Sequence, residues 1–304
     1  MNDQRRHQDG IPTAPREHIR TGEAWHGVLR KILGGDSPGR ICIIGMPDTG
    51  KTTLAHWFWG QLSGPPPSAL VDCDPGQARL GPPAALTMAP GPPPGGDASF
   101  LRLVGAVSPP GHLLQMLTGV LRLVEKAESQ GADAVVCDSS GFVTGGMARE
   151  FQFQILDALR PRHLVAIQEN GELEPILRPF QGSALQLHRL RPVEAIRPRS
   201  QEQRGRRRRR RFAAHFRDTV SLRLQLDGLG LHGHVPDLAQ PAELQGLLIA
   251  PCDGEGFALT LALLEQADPD GHWIDLLSPP FDTGRVTSLQ FGSIRLRPDG
   301  RQVE

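Results

Sequence analysis

Gly45-Met46-Pro47-Asp48-Thr49-Gly50-Lys51-Thr52 spells a complete phosphate-binding loop set between a strand and a helix. Arg40-Ile41-Cys42-Ile43-Ile44 before it is a short apolar run of β-type residues, the pattern of a buried parallel strand. Thr53-Leu54-Ala55-His56-Trp57-Phe58 after it continues as a helix. The chemistry needs this order. The glycines let backbone N–H groups turn inward on phosphates, and the helix N-terminus adds its positive dipole end. Lys51 then reaches the β- and γ-phosphates and the Thr52 hydroxyl ligates Mg²⁺. Residues Gly45 to Thr53 are therefore expected to bind a nucleoside triphosphate. Lysine is scarce here, three (Lys31, Lys51, Lys126) against thirty arginines, so one in this loop stands out.

At 304 residues the length suggests about two domains. The formal net charge of zero hides a segregation, because ten arginines lie between Arg197 and Arg217 and the remainder is on balance acidic. The four cysteines (Cys42, Cys73, Cys137, Cys252) form no C-x-x-C pair, and three sit in apolar strand-like runs, as small buried thiols do. That fits a reducing cytosol. Met1-Asn2-Asp3-Gln4-Arg5-Arg6 has no apolar stretch behind it, and no run reaches membrane-spanning length. The expectation is a soluble cytoplasmic protein with no membrane partner.

Residues 1 to about 15 read as disordered, followed by a helix carrying Ile19, Trp25, Val28, Leu29 and Ile32 and ended by Gly34-Gly35. Strands are expected at Ser68 to Asp74, Leu101 to Gly105, Ala134 to Asp138, His163 to Ile167 and Ala184 to Leu187. Helices are expected from about His112 to Gln130, Met147 to Leu159 and Leu173 to Phe180. Residues 80–97, dominated by proline and glycine, read as loop. Alternating strands and helices predict an α/β fold of the P-loop NTPase kind, with a mainly parallel sheet covered by helices on both faces. From Asp218 onward, runs such as Ser221 to Leu226, Leu247 to Ala250, Phe257 to Leu259 and Gly292 to Leu296 predict a small, mostly β C-terminal domain. The expected division is 1–39 (extension with a helix), 40–217 (P-loop domain with an arginine-rich helical lid at about 195–217) and 218–304.

Functional residues in such sheets gather at the carboxyl ends of the strands, where Asp72, Asp74, Asp138 and Gln168 fall. In Asp72-Cys73-Asp74-Pro75-Gly76-Gln77, two carboxylates and an amide at the mouth of a phosphate loop can hold Mg²⁺ and deprotonate an attacking hydroxyl. A solvated turn capped by aspartates is the plainer alternative. No Asn-Lys-x-Asp guanine motif contains either other lysine, which favours ATP. Met46 stands where dimeric metal-carrier and partition ATPases place an extra lysine.

With these segments in order, the chain from about residue 40 to the end resembles the polynucleotide 5′-hydroxyl kinase family of P-loop proteins. The resemblance rests on the phosphate loop, on Asp72, Asp74, Gly76 and Gln77, on Ser139-Ser140-Gly141-Phe142 in place of the family's Thr-x-Gly-Trp clasp, and on the lid arginines, placed at Arg199 and Arg204. Val104-Gly105 through Ser108-Pro109, Leu159 to Val165, and Phe291 to Leu296 add to it. It implies that ATP is the donor and a nucleic-acid 5′-hydroxyl the acceptor. Lys51, Asp74, Arg199 and Arg204 would be catalytic, Thr52, Asp74 and Gln77 would organise Mg²⁺, and Asp72 and Asp138 would be supporting or alternative metal partners. Ser139 to Phe142 would hold the terminal nucleotide. Two departures matter: Phe142 replaces tryptophan and Ser139 replaces threonine. A phenyl ring still stacks on a base, by about 1–3 kcal/mol, although a core aromatic is the alternative.

The segment Arg197 to Gly205, followed by Arg206 to Arg211, admits three readings: a basic tail, a phosphate-tracking surface, or a lid over ATP. Phe212, His215 and Phe216 at helical spacing favour the lid, with Arg206, Arg207 and Arg208 meeting polynucleotide phosphates. The rival functions are a nucleic-acid-binding ATPase or RNA-processing assembly factor without kinase activity, and a kinase for a small metabolite.

Overall fold

The computed structural model describes residues 22–65, 67–91, 99–193, 199–240 and 244–303. The segment 1 to about 15, Ile19, and residues 195–198 of the lid lie outside them. Strands β1 (Gly39–Gly45), β2 (Ser68–Cys73), β3 (Ala85–Pro90), β4 (Phe100–Leu103), β5 (Ala134–Ser139), β6 (His163–Ile167) and β7 (Gln186–Leu190) form one sheet, in the order β4-β3-β2-β5-β1-β6-β7. The five strands from β2 to β7 in that order are parallel, and β3 and β4 add to the edge antiparallel.

Side chains alternate across a strand, and β1 uses both faces. Ile41 and Ile43 pack with α1 (Glu23–Leu33) and α2 (Lys51–Gln61) through Trp25, Ile32, Leu54 and Phe58. Cys42 and Ile44 pack with α3 (Leu113–Ser129) and α4 (Gly146–Leu159) through Met116, Val120, Phe151 and Leu156. All four cysteines are buried free thiols.

The expectation of loop across residues 80–97 fails at β3. Ala85-Leu86-Thr87-Met88-Ala89 carries no β-branched run, yet β2 and β4 bond both of its edges and the strand is buried up to Ala89. Tertiary burial outweighs the proline-rich flanks. Smaller corrections follow. The strand expected from Leu101 to Gly105 stops at Leu103, and the one expected at Ala184 starts at Gln186. The helix at Leu173 to Phe180 is one α-turn, α5 (Glu174–Leu177), continued by a 3₁₀ turn.

Helix α6 (Gln201–His215) leads into a second sheet built from β8 (Val220–Gln225), β9 (Gly230–Gly233), β10 (Leu247–Cys252), β11 (Ala262–Ala267), β12 (Trp273–Ser278), β13 (Ser288–Leu296) and β14 (Gln302–Val303). Its order is β14-β13-β10-β11-β12-β8, antiparallel, with β9 parallel on β13. The strand expected at Phe257 to Leu259 is absent; Ala258 makes only isolated bridges to Leu101 and Cys252.

The two sheets share a core in which Ala84, Ala85 and Leu103 meet Leu248, Leu261 and Ile294, together with Phe212 and Phe216 of the α6 end. Backbones touch here. Gly105, at φ 89, lies so close to Gly292 that a Cβ would sit 2.8 Å from its Cα, and Ser293 N–H donates to the Gly105 carbonyl at 2.9 Å. The Ser293 hydroxyl also pairs with His112 Nε2 at 2.9 Å. The Val104-Gly105 and Phe291-to-Leu296 segments singled out above are thus two sides of one contact.

His163 and His188 stack on the neighbouring strands β6 and β7, with Nδ1 of His163 3.2 Å from Nε2 of His188. Burial, then the nearby His188 and Arg162, lowers the His163 pKa to about 4. The unfolded chain, with a histidine pKa near 6.5, binds more protons in between, so stability is full above about pH 6.5 and falls as pH drops toward 4. Urea unfolding curves across that window should show a loss of up to about 1.4 kcal/mol per pH unit from this residue. His163→Gln should flatten the dependence; an unchanged slope would contradict the assignment.

Candidate active site

The first intrahelical bond of α2 runs from Leu54 N–H to the Gly50 carbonyl, so the N–H groups of Lys51, Thr52 and Thr53 have no acceptor within the helix. The loop before them is already folded. Thr49 Oγ1 donates to the Met46 carbonyl at 2.9 Å, and Lys51 Nζ donates to the same oxygen at 2.7 Å. Asp48 adopts φ 58, a left-handed conformation that aspartate tolerates better than most residues. Lys51 is buried. Burial lowers its pKa, opposed by Asp138, Asp74 and Asp48.

Opposite Lys51 stand three carboxylates. Asp72 and Asp138 are register partners at the ends of β2 and β5, and both are buried. Asp72 Oδ1 accepts from Asp74 N–H at 3.2 Å, and its Oδ2 accepts from the N–H groups of Arg79 and Leu80. Asp74 Oδ1 accepts from Gly76 N–H at 2.9 Å and Gln77 N–H at 3.0 Å. Burial and then Asp72 push the Asp74 pKa up, against those N–H groups and Lys51. The same two causes, in the same order, raise Asp138 to about 7, although Lys51 and a hydrogen bond from the Thr52 hydroxyl oppose them.

Asp138 Oδ1 and Gln77 Oε1 are buried without a hydrogen-bond partner among the described residues. Carboxylate, hydroxyl and amide oxygens around an excess of buried negative charge fit a hard divalent cation such as Mg²⁺. No three acidic, imidazole or thiol groups among the described residues form a metal cluster unaided. The fit is that of an ion whose shell is completed by phosphate and water.

The segment after β5 abuts the phosphate loop. A Cβ on Gly141 would lie 2.7 Å from Pro47 Cγ, so only glycine permits the approach. Ser139 Oγ donates to the Ser140 carbonyl at 3.2 Å, and Ser140 Oγ is buried without a partner among the described residues. Phe142 is half-buried; its ring packs on the α4 side of the core, 6.2 Å from Phe151, and its carbonyl accepts from Gln152 Nε2 at 2.9 Å. The core-aromatic alternative therefore describes at least one face of this ring. Gln168, at the end of β6, is committed elsewhere: its amide bonds Glu174 at 2.6 Å and Leu173 N–H at 3.0 Å.

Helix α6 begins with a capping box, Ser200 bonding Gln203 N–H and Gln203 bonding Ser200 N–H. This start is fastened to the phosphate loop. Asp48 Oδ2 accepts from Arg199 N–H at 2.9 Å and pairs with Arg204 Nη2 at 2.6 Å. Burial alone would raise the Asp48 pKa; those two groups outweigh it and hold the carboxyl below its ordinary range. Farther along, Arg208 lies in the field of Asp74, while Arg207 and Arg211 lie in that of Asp72. Arg206 faces away and pairs with Glu202 at 3.4 Å, and Arg209 pairs with Asp299 at 2.9 Å. The helical period thus separates Arg207 and Arg208 from Arg206.

Three features escaped the sequence reading: Asp48 as the anchor of α6, the Thr52–Asp138 contact, and the placement of Arg79 and Arg211. Only the second left a local trace, an aspartate ending the apolar run Ala134 to Cys137.

Residues 45–218 match the model of the family described as mRNA cleavage and polyadenylation factor CLP1 P-loop. The chain belongs to this family. It is similar to a polyribonucleotide 5′-hydroxyl-kinase of Pyrococcus abyssi, 24% identical over 337 residues, covering 90% of this chain and 92% of the relative. A polyribonucleotide 5′-hydroxyl-kinase of Methanocaldococcus jannaschii is 22% identical over 344 residues, with 90% and 92% covered. The fold resembles that of a Clp1p–Pcf11p complex at a TM-score of 0.68 and 13% identity, over 89% of this chain and 77% of that one. The match to the CLP1 P-loop model takes in the phosphate loop, the three carboxylates and α6 together.

Within this CLP1-type site the Asp48–Arg204 contact is the sole ion pair between α6 and the phosphate loop among the described residues. Asp48→Asn keeps the left-handed backbone accessible but removes the charge. It should release the start of α6, a loss of about 1.5–3 kcal/mol for a charged hydrogen bond. Trypsin cleavage at Arg206 to Arg210 should then quicken by about tenfold or more; unchanged cleavage would refute the anchoring role.

Proposed function

We propose that this chain is an ATP-dependent polynucleotide 5′-hydroxyl kinase, which moves the γ-phosphoryl group of ATP to the 5′-hydroxyl of an RNA or DNA strand. The observation that carries this is the convergence of a buried Lys51, the start of α2 and the Asp74 carboxylate, held by the Gly76 and Gln77 N–H groups and lying near Arg208 of α6. The names of the archaeal relatives agree with it.

In this reading the N–H groups of Lys51, Thr52 and Thr53, with Gly45 to Gly50, seat the donor phosphates. Lys51, Arg199 and Arg204 stabilise charge on the transferring group. Asp74 accepts the proton of the 5′-hydroxyl, whose oxygen bonds to the γ-phosphorus as the bond to the β,γ-bridging oxygen breaks and ADP leaves. Thr52, Asp74, Gln77 and Asp138 would hold Mg²⁺, which would supply neutralising charge for the donor phosphates. Ser139 to Phe142 position the terminal nucleotide, with stacking limited to whatever face of Phe142 the core leaves open.

The test is transfer of labelled γ-phosphate to matched RNA and DNA oligonucleotides bearing a 5′-hydroxyl. Asp74→Asn should lower the rate by about 10²- to 10⁴-fold, the usual contribution of a general base. Lys51→Ala should lower it at least as far, with unfolding curves showing that both variants fold. Transfer that persists in either variant would sink the assignment. ATP hydrolysis with tight RNA binding and no labelled oligonucleotide would identify an ATPase or assembly factor instead.

A further inference from the structure

The wall formed by α6 and the loop after β2 carries more positive charge than the neighbouring carboxylates use. Asp48 takes Arg204, and Arg211 is occupied by the carbonyls of Arg79, at 2.9 Å, and Gly81, at 2.7 Å. The side chains of Arg79 and Arg207 have no hydrogen bond or ion pair among the described residues. They are nevertheless held close together. Arg207 precedes Arg211 by one helical turn on the same face, and Arg211 grips the backbone of Arg79 itself. The Arg79 N–H is bonded to Asp72, which fixes that loop beside the carboxylates. Arg207 is half-buried; burial, then Arg79, Arg199 and Arg211, lowers its pKa to about 10. Guanidinium groups gathered this way, in the field of Asp72 but bonded to no carboxylate, are a site prepared for a further anion.

The position selects the anion. Asp72 ends β2, which lies two strands from β1 on the side away from β6, whereas the donor phosphates belong at the start of α2 beside β1. An anion at Arg79 and Arg207 therefore sits on the acceptor side. We propose that Arg79 and Arg207 form a phosphodiester seat that takes the first internucleotide phosphate of the acceptor strand, so that the site selects a polynucleotide end over a free nucleoside. This rests on the kinase reading. Arg79 becomes a specificity-determining residue, and Arg207 is separated in role from the outward-facing Arg206.

The experiment measures binding of a 5′-hydroxyl oligonucleotide by fluorescence anisotropy over a salt series, together with KM for oligonucleotide and for ATP. Arg79→Gln and Arg207→Gln should each weaken binding by about tenfold, the scale of one hydrogen bond to a charged group. Each should make the slope of log K against log salt shallower by about 0.7. KM for the oligonucleotide should rise in parallel, while KM for ATP moves less than about twofold. The unmutated protein supplies a control that no folding defect can mimic. An oligonucleotide with a neutral methylphosphonate at its first linkage should bind it at least about tenfold more weakly, and each variant should discriminate between the two oligonucleotides less than the unmutated protein does. Equal binding of both by the unmutated protein would overturn the seat, as would a rise in KM for ATP alone. Tight, linkage-dependent binding with no phosphoryl transfer would overturn the kinase reading and leave the seat standing.

Discussion

Three carboxylates brought together at the end of a parallel sheet, with one lysine between them, set the terms for the rest of this molecule. Each unpaired buried charge costs several kcal/mol after relaxation, and Lys51 lies in the field of Asp138 and Asp74, with Arg79 and the α6 arginines the other cations near the cluster. The fold answers in the ways open to it. Backbone N–H groups of Gly76, Gln77, Arg79 and Leu80 turn onto Asp74 and Asp72. The Asp138 pKa climbs to about 7, so that this group holds its proton part of the time. An arginine-rich helix is laid across the opening. Each response leaves the cluster short of a cation, and that shortage is what suits it to a metal–nucleotide complex.

The parts that were legible in the sequence share one physical trait: they are local. A strand, a glycine turn and a helix start within one stretch, from Arg40 to Phe58, announce the phosphate loop by themselves. The Asp72-to-Gln77 turn is likewise closed by bonds between residues two or three apart. The arginine helix was readable because Phe212, His215 and Phe216 punctuate it at helical spacing. What stayed hidden depends on distant partners. β3 is a strand because β2 and β4 flank it, and its own residues show little preference. β11, Ala262–Ala267, includes Leu-Leu-Glu-Gln, a composition that suits a helix as well as a sheet. The Asp48 contact joins residues 151 and 156 positions apart, and no spacing rule reaches that far.

The junction between the two sheets shows how the C-terminal segment bears on the carboxylate cluster although it supplies none of Lys51, Asp72, Asp74 and Asp138. Gly105 and Gly292 meet backbone to backbone, and Gln290 Nε2 donates to the Leu103 carbonyl at 3.1 Å. Those contacts fix the chain between β4 and α3, where the Val107 carbonyl lies against Gly76 of the aspartate turn. The second sheet therefore buttresses the turn that presents Asp74.

Helix α6 is held very differently at its two ends. Phe212 and Phe216 bury its C-terminal end in the core shared by both sheets, while a single carboxylate holds its first turn. Mechanically it is a cantilever about 22 Å long, from fifteen residues at about 1.5 Å each. Its root is set in packed hydrocarbon, which yields little, and its tip rests on a latch that competes with whatever anion enters the loop. Motion must then grow with distance from the root. A displacement of the helix about that root would be greatest at Arg199 and Arg204 and least at Arg211, whose guanidinium is also held by the carbonyls of Arg79 and Gly81.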